Sequence, residues 1–141
     1  MYKRQLWHWH PDCEVEIDAQ GKMFTKNDYG NLQIIPVDSK GWQMTLVKGQ
    51  ESPTIQGWYS RAYNAYVPNP TGIYSRKLPA DDTFVWILWP SEGKSPKLQT
   101  SILSKNNDHV MVKVTEPGKG SWVVRVPFLD RNGVVIKSEK E

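Results

Sequence analysis

Between residues 57 and 90 the chain is a run of aromatic and β-branched residues that prolines and glycines keep interrupting. It reads Gly57-Trp58-Tyr59-Ser60-Arg61-Ala62-Tyr63-Asn64, then Pro68-Asn69-Pro70-Thr71-Gly72, then Leu78-Pro79-Ala80-Asp81-Asp82-Thr83-Phe84-Val85-Trp86-Ile87-Leu88-Trp89-Pro90. Rings and branched carbons fit a pleated surface, and proline cannot donate to its ladder. Such a segment predicts successive strands and corners of an antiparallel sheet, and it leaves no room for a helix.

The rest of the chain repeats the pattern. Residues 6–10 alternate faces, with Trp7 and Trp9 on one side and Leu6, His8 and His10 on the other. Val15 and Ile17 alternate with Glu14, Glu16 and Asp18, the mark of a strand half in water. Further strands are expected over 23–26, 32–37, 42–48, 56–60, 72–77 and 83–88, separated by turn chemistry at 27–31, 38–41 and 68–70. After Pro90, residues 91–96 read as a polar loop. Leu98, Thr100 and Ile102 alternate with polar neighbours, as do Val110, Val112 and Val114, and another strand is expected over 122–127. Asn132-Gly133 carries a type I′ hairpin signal ahead of Val134, Val135 and Ile136. No segment holds a helical period over about ten residues. Roughly ten to twelve short strands at turn spacings of about 8 to 12 residues predict an all-β, antiparallel β-sandwich.

At 141 residues the chain is long enough for one domain, which at this size buries roughly 70% of its unfolded surface. Cys13 is the single cysteine, so no intramolecular disulfide forms; with no Cys-His pairing motif around it, it reads as a small packing residue. No apolar run approaches the roughly 18 residues that span a bilayer, and no membrane partner is expected. The net charge of +3 is mildly basic, but Lys3 and Arg4 supply two of the 18 basic residues, so residues 6–141 hold 16 basic against 15 acidic side chains. With no basic cluster to track a phosphate backbone, nucleic acid is not an expected partner.

Few constellations carry chemistry. His8 and His10 share a strand face and are weak metal candidates, but two imidazoles do not make a site and nothing fixes His109 beside them. Trp58, Tyr59, Arg61, Tyr63 and Asn64 have the chemistry to bind sugar: an aromatic face suits the apolar C–H side of a pyranose, and Arg pairs with a uronate carboxylate. The same residues also read as a strand and its corner, Trp58 as core and Arg61 and Tyr63 as the ones nearest a turn. Trp86 and Trp89 read as packing. There is no Gly-x-Ser-x-Gly, no phosphate loop and no dinucleotide fingerprint. Asp81-Asp82, after a proline, reads as a solvated turn rather than a glycosidase acid pair.

Two resemblances bear on identity. Met1-Tyr2-Lys3-Arg4-Gln5 resembles the translated end of a transposon-based sequencing adaptor, which implies that residues 1–5 are a non-native tail; the other reading is a genuine basic tail. From residue 6 to about 136, the chain resembles the C-terminal β-sandwich of heparinase II/III-like polysaccharide lyases. The match rests on His8-Trp9-His10-Pro11, on Gly57-Trp58-Tyr59-Ser60 with Tyr63, and on Leu78-Pro79 through Phe84 to Leu88-Trp89-Pro90. The resemblance implies that residues 6–141 are the sandwich domain of a larger bacterial enzyme, periplasmic or extracellular, with an α-helical toroid ahead of it. Such enzymes cleave uronate-containing chains of alginate or glycosaminoglycan type by β-elimination, and a zinc site occurs in the family. The family's His-x-Asp-x-Gly-x-Phe segment is absent, so no catalytic residue is assigned, no cofactor is expected in this chain, and the chain alone is expected to be inactive. The alternative from another class is a free-standing carbohydrate-binding or adhesion module, whose aromatic residues form an exposed platform instead of core.

Overall fold

A computed structural model of the chain describes residues 1–78, 80, 82–130 and 132–139. Pro79 of the Leu78-Pro79 motif and Asp81 of the acid pair lie outside the described residues. The described residues form thirteen strands joined by antiparallel pairings and no helix, so the fold is all-β and sandwich-like. Among them, no helix is long and apolar enough to cross a membrane. The chain gathers into two compact units, residues 1–95 and 96–141.

In the first unit, β1 (Tyr2–His8), β8 (Pro70–Lys77) and β5 (Gln43–Lys48) form a sheet in the order β1-β8-β5. A second sheet runs β2-β3-β4-β9, from β2 (Val15–Ile17), β3 (Met23–Thr25), β4 (Gly30–Pro36) and β9 (Trp86–Glu92). Both sheets send residues into one core. Trp9 follows β1, Met23 lies on β3, Ile34 on β4, Trp42 ahead of β5 and Tyr74 on β8, and all five are buried together. How closely the sheets approach is read at Gly72 of β8: a Cβ built there would lie 1.9 Å from Met23 Cε and 2.1 Å from its Sδ. Glycine is the residue that lets one sheet's backbone seat against the other's methionine.

The tryptophans explain the core's character. Trp42 meets Phe84, Trp86 and Tyr74 edge to face at centroid distances of 5.0, 5.4 and 6.3 Å, and Trp7 meets Trp86 at 6.2 Å. Ring edges are electropositive and ring faces electronegative, so tilted contacts add to the burial of large apolar area. The Tyr74 hydroxyl donates to the carbonyl of Gly21. Burial, reinforced by the charge of Asp18, pushes the Tyr74 phenol well above its ordinary range.

The face split read at residues 6–10 is present, with Trp7 and Trp9 toward the core and His8 and His10 exposed. Residues 2–5, the possible tail, continue β1 and pair with residues 74–77 of β8. That pairing uses main-chain groups, which any residue supplies, and the side chains of Tyr2, Lys3 and Arg4 are exposed. The strand expected over 83–88 starts later and runs further, through Pro90 to Glu92. A proline fits inside it because β9 is the outer strand of its sheet, where a missing N–H breaks no ladder.

The third sheet of this unit is a hairpin of β6 (Trp58–Ala62) and β7 (Ala65–Pro68). Residues 68–70 do not form the turn their composition suggests. Asn69 is instead a buried joint between β7 and β8: its side chain donates to Trp9 O at 2.9 Å and its main-chain N–H to Gly57 O at 2.8 Å. The Gly57 carbonyl takes a second N–H from Gly49 at 2.8 Å, so three segments are tied at the hairpin's base. Gly57 has φ +78°, and a Cβ there would lie 3.0 Å from both Asn69 O and Gly49 N.

The second unit is a meander in the order β10-β11-β12-β13, from β10 (Gln99–Lys105), β11 (His109–Glu116), β12 (Gly120–Pro127) and β13 (Val135–Glu139). Val110, Val112 and Val114 are buried on one face of β11, as their alternation predicts. Asn132-Gly133 does not make the expected type I′ hairpin. Seven residues, 128–134, join β12 to β13, and Gly133 lacks the positive φ that a type I′ turn demands; its N–H bonds back to Asp130 O at 3.2 Å.

Candidate functional site

The five residues singled out for sugar chemistry all lie on or beside the β6–β7 hairpin, and the structure divides them between its faces. Trp58 pairs with Pro68, Tyr59 with Val67 and Ser60 with Tyr66, after which a bulge at Arg61 brings Ala62 opposite Ala65. Cross-strand partners share a face and neighbours along a strand oppose. Tyr59 and Arg61 therefore stand on one side and Trp58 with Tyr66 on the other. Asn64 turns the hairpin with φ 57°, a left-handed conformation that asparagine tolerates better than branched residues do.

On the first side, Tyr59, Arg61, Asn64, Ala65 and Val67 line a groove of about 590 Å³, which Tyr66 also borders from the other side. The Arg61 guanidinium carbon lies 5.8 Å from the Tyr59 ring centroid, and Arg61 Nη2 is 2.9 Å from His10 Nε2. His10 in turn sits 6.0 Å from the Tyr59 ring, with its Nδ1 3.4 Å from Asp12 Oδ2. A guanidinium has donors only, so it bonds the tautomer in which Nε2 accepts and Nδ1–H faces the Asp12 carboxylate. The Asp12 N–H donates to Nδ1, at 3.3 Å, in the other tautomer. Arg61 spends one N–H on His10 and keeps the others at the exposed groove, where a planar carboxylate can take two at once.

On the second side, Trp58 is half-buried and outside the core cluster, which corrects its reading as core. Its Nε1 donates to Gln50 O at 3.1 Å, and Tyr66 crosses it at 86° with centroids 5.3 Å apart. Tyr63 stands fully exposed at the tip and lines neither this face nor the groove. Sequence reading missed Tyr66 and Val67, because β7 is four residues long and ends at a proline. It also missed the link from His10 to Arg61, 51 residues apart in the chain.

The two histidines do not make a metal position together. His8 Nδ1 is 3.1 Å from Thr71 Oγ1, and a permanent cation, Arg61, already faces the nitrogen of His10 that a metal would take. Among the described residues no three His, Cys, Asp or Glu gather in metal-holding distance. His109, in the second unit, engages Ser104 Oγ at 3.2 Å. Asp82 is exposed and accepts from the Thr83 N–H at 2.8 Å.

What this arrangement offers is recognition: an aromatic face, a guanidinium with free donors and an open groove. Comparison of the chain with protein-family models, with curated proteins and with solved structures found no match.

Proposed function

We propose that this chain is a non-catalytic β-sandwich that binds an acidic, uronate-containing polysaccharide of alginate or glycosaminoglycan type along the β6–β7 groove. The observation that carries the reading is the placement of Arg61 beside Tyr59. The guanidinium would take the uronate carboxylate while the ring covers the apolar face of the same sugar, with Asn64 at the groove's end. The His8-Trp9-His10-Pro11 and Gly57-Trp58-Tyr59-Ser60 resemblances support the same ligand class. On that reading the sandwich belongs to a heparinase II/III-like lyase of the periplasm or cell surface and walls one side of a cleft completed by a helical toroid that also supplies the base and acid of β-elimination. The exposure of Tyr63 and Tyr66 favours the second reading, a free-standing binding or adhesion module.

Retention on immobilised alginate or heparin tests the shared claim. The chain should be held and then released by salt, and Arg61→Ala or Tyr59→Ala should elute earlier without loss of fold. Equal retention of both variants would reject the groove. Any release of unsaturated uronate by this chain alone would reject the non-catalytic reading.

A further inference from the structure

The opposite face of the hairpin holds a second, differently built recess of about 410 Å³, lined by Glu51, Ile55, Trp58 and Tyr66. Hydrogen bonds hold its loop and its Trp58 wall. Gln50 and Gln56 exchange both main-chain hydrogen bonds, at 2.9 and 3.0 Å, and the Gln50 amide donates to Thr54 O at 2.9 Å, so the loop carrying Glu51 and Ile55 is closed on itself. The same Gln50 carbonyl holds the Trp58 indole through its Nε1–H. Tyr66 completes a right-angled aromatic pair while staying 65% exposed, and Ile55 is 73% exposed. Among the described residues no cation pairs with Glu51 in a salt bridge, which leaves its carboxylate free for a ligand.

An edge-to-face aromatic pair in a recess that an acidic and an aliphatic residue also line suits one chemical class. A methylated ammonium presents apolar methyl groups that carry a spread positive charge; it is attracted to ring faces and to the carboxylate and sheds little hydration on entry. A neutral sugar can donate its hydroxyls to the carboxylate but brings no charge to balance it, and an anion would be repelled by it. The geometry points to a binding site for a quaternary or methylated ammonium group on the Trp58–Tyr66 face, which shares only Tyr66 with the Arg61 groove and is opposite to it in charge preference. The hairpin then reads carboxylate on one face and ammonium on the other.

The test uses the intact chain labelled with nitrogen-15, watching the Trp58 indole N–H, which Trp58→Phe identifies. Choline chloride is the probe and 3,3-dimethylbutan-1-ol, its uncharged equivalent in shape, is the control. Choline should shift the Trp58 signal saturably in roughly the millimolar range, and the alcohol should not. Glu51→Gln should weaken choline about tenfold, and Tyr66→Leu, which keeps apolar contact but removes the ring, should abolish the shift. The site is refuted if the alcohol matches choline, if neither variant changes the response, or if choline leaves Trp58 unmoved. Because the readout is a small cation at Trp58, failure here leaves polysaccharide retention at Arg61 untouched, and the converse also holds.

Discussion

The seat of Met23 against Gly72 gives the most demanding check on how the two sheets of the first unit face each other. Gly72 has no positive φ, so alanine can adopt its backbone, and removing glycine from a strand should by itself add about 0.4–1 kcal/mol of stability. The new methyl would meet Met23 Cε at 1.9 Å, against an ordinary carbon contact of about 3.5–4.0 Å, so the thioether must retreat by about 2 Å. Met23 has no exposed surface and lies in the same cluster as Trp42 and Tyr74, so the retreat displaces packed rings. Overpacking of this kind costs about 1–3 kcal/mol, leaving Gly72→Ala a net loss of about 0–2.6 kcal/mol. Met23→Ala alone should cost about 2–5 kcal/mol through lost burial and a cavity. In the double variant the new methyl enters the space that the methionine vacates, so the combined loss should fall short of the sum by about 1–2 kcal/mol. Urea unfolding followed by tryptophan fluorescence, with unchanged m-values, measures all three. Additivity within about 0.5 kcal/mol would show that the two residues do not share a space, and the sheet-on-sheet packing at this point would be wrong.

Replacing Tyr74 by Phe should cost about 1–2 kcal/mol in the same assay, because the Gly21 carbonyl loses its donor. Because the folded phenol's pKa is raised, stability from Tyr74 is intact below about pH 10, where the unfolded phenol begins to ionise, and declines above it; ultraviolet titration should find one of six tyrosines resisting ionisation until the chain unfolds. Asn64→Gly should leave both stability and alginate retention near wild type, since the left-handed turn is kept, whereas Asn64→Val should cost about 1–2 kcal/mol and weaken retention, as circular dichroism melts and affinity elution would reveal. Gly57→Ala should cost about 2 kcal/mol or more, because its Cβ meets backbone on two sides at a positive φ, and proteolysis should then open the hairpin first.

Strands with one wet face were the legible part of this sequence. Val15 with Ile17, and Val110, Val112 and Val114, alternate because the pleat puts every second side chain on the same face, and that signal is local. Trp7 and Trp9 against His8 and His10 gave the right faces for the same reason. Local signals fail where distance decides. Nothing near His8 indicates that β1 pairs with β8, whose residues lie more than sixty positions on, and the joint at Asn69 is a buried side-chain bond to Trp9, invisible to turn composition. The polar run at 91–96 gave no sign that the chain passes from one compact unit to the next between Ser95 and Pro96. At the candidate site, the residue types were readable, since Tyr59, Arg61 and Asn64 do line one groove. Their separation from Trp58 was not foreseen, because it depends on a hairpin whose return strand is short and ends at proline.

The tie made by Gly57, Gly49, Asn69 and Trp9 at the base of the hairpin separates what must persist from what is free to vary. Below it, every change disturbs buried main-chain bonds shared by three segments. Above it, residues 60–67 are surface-facing, and their side chains reach the rest of the unit through Arg61 on His10 and Tyr66 on Trp58. A lineage of such chains could lengthen, shorten or recompose that tip, and so exchange one ligand for another, while the sandwich beneath went on folding unchanged.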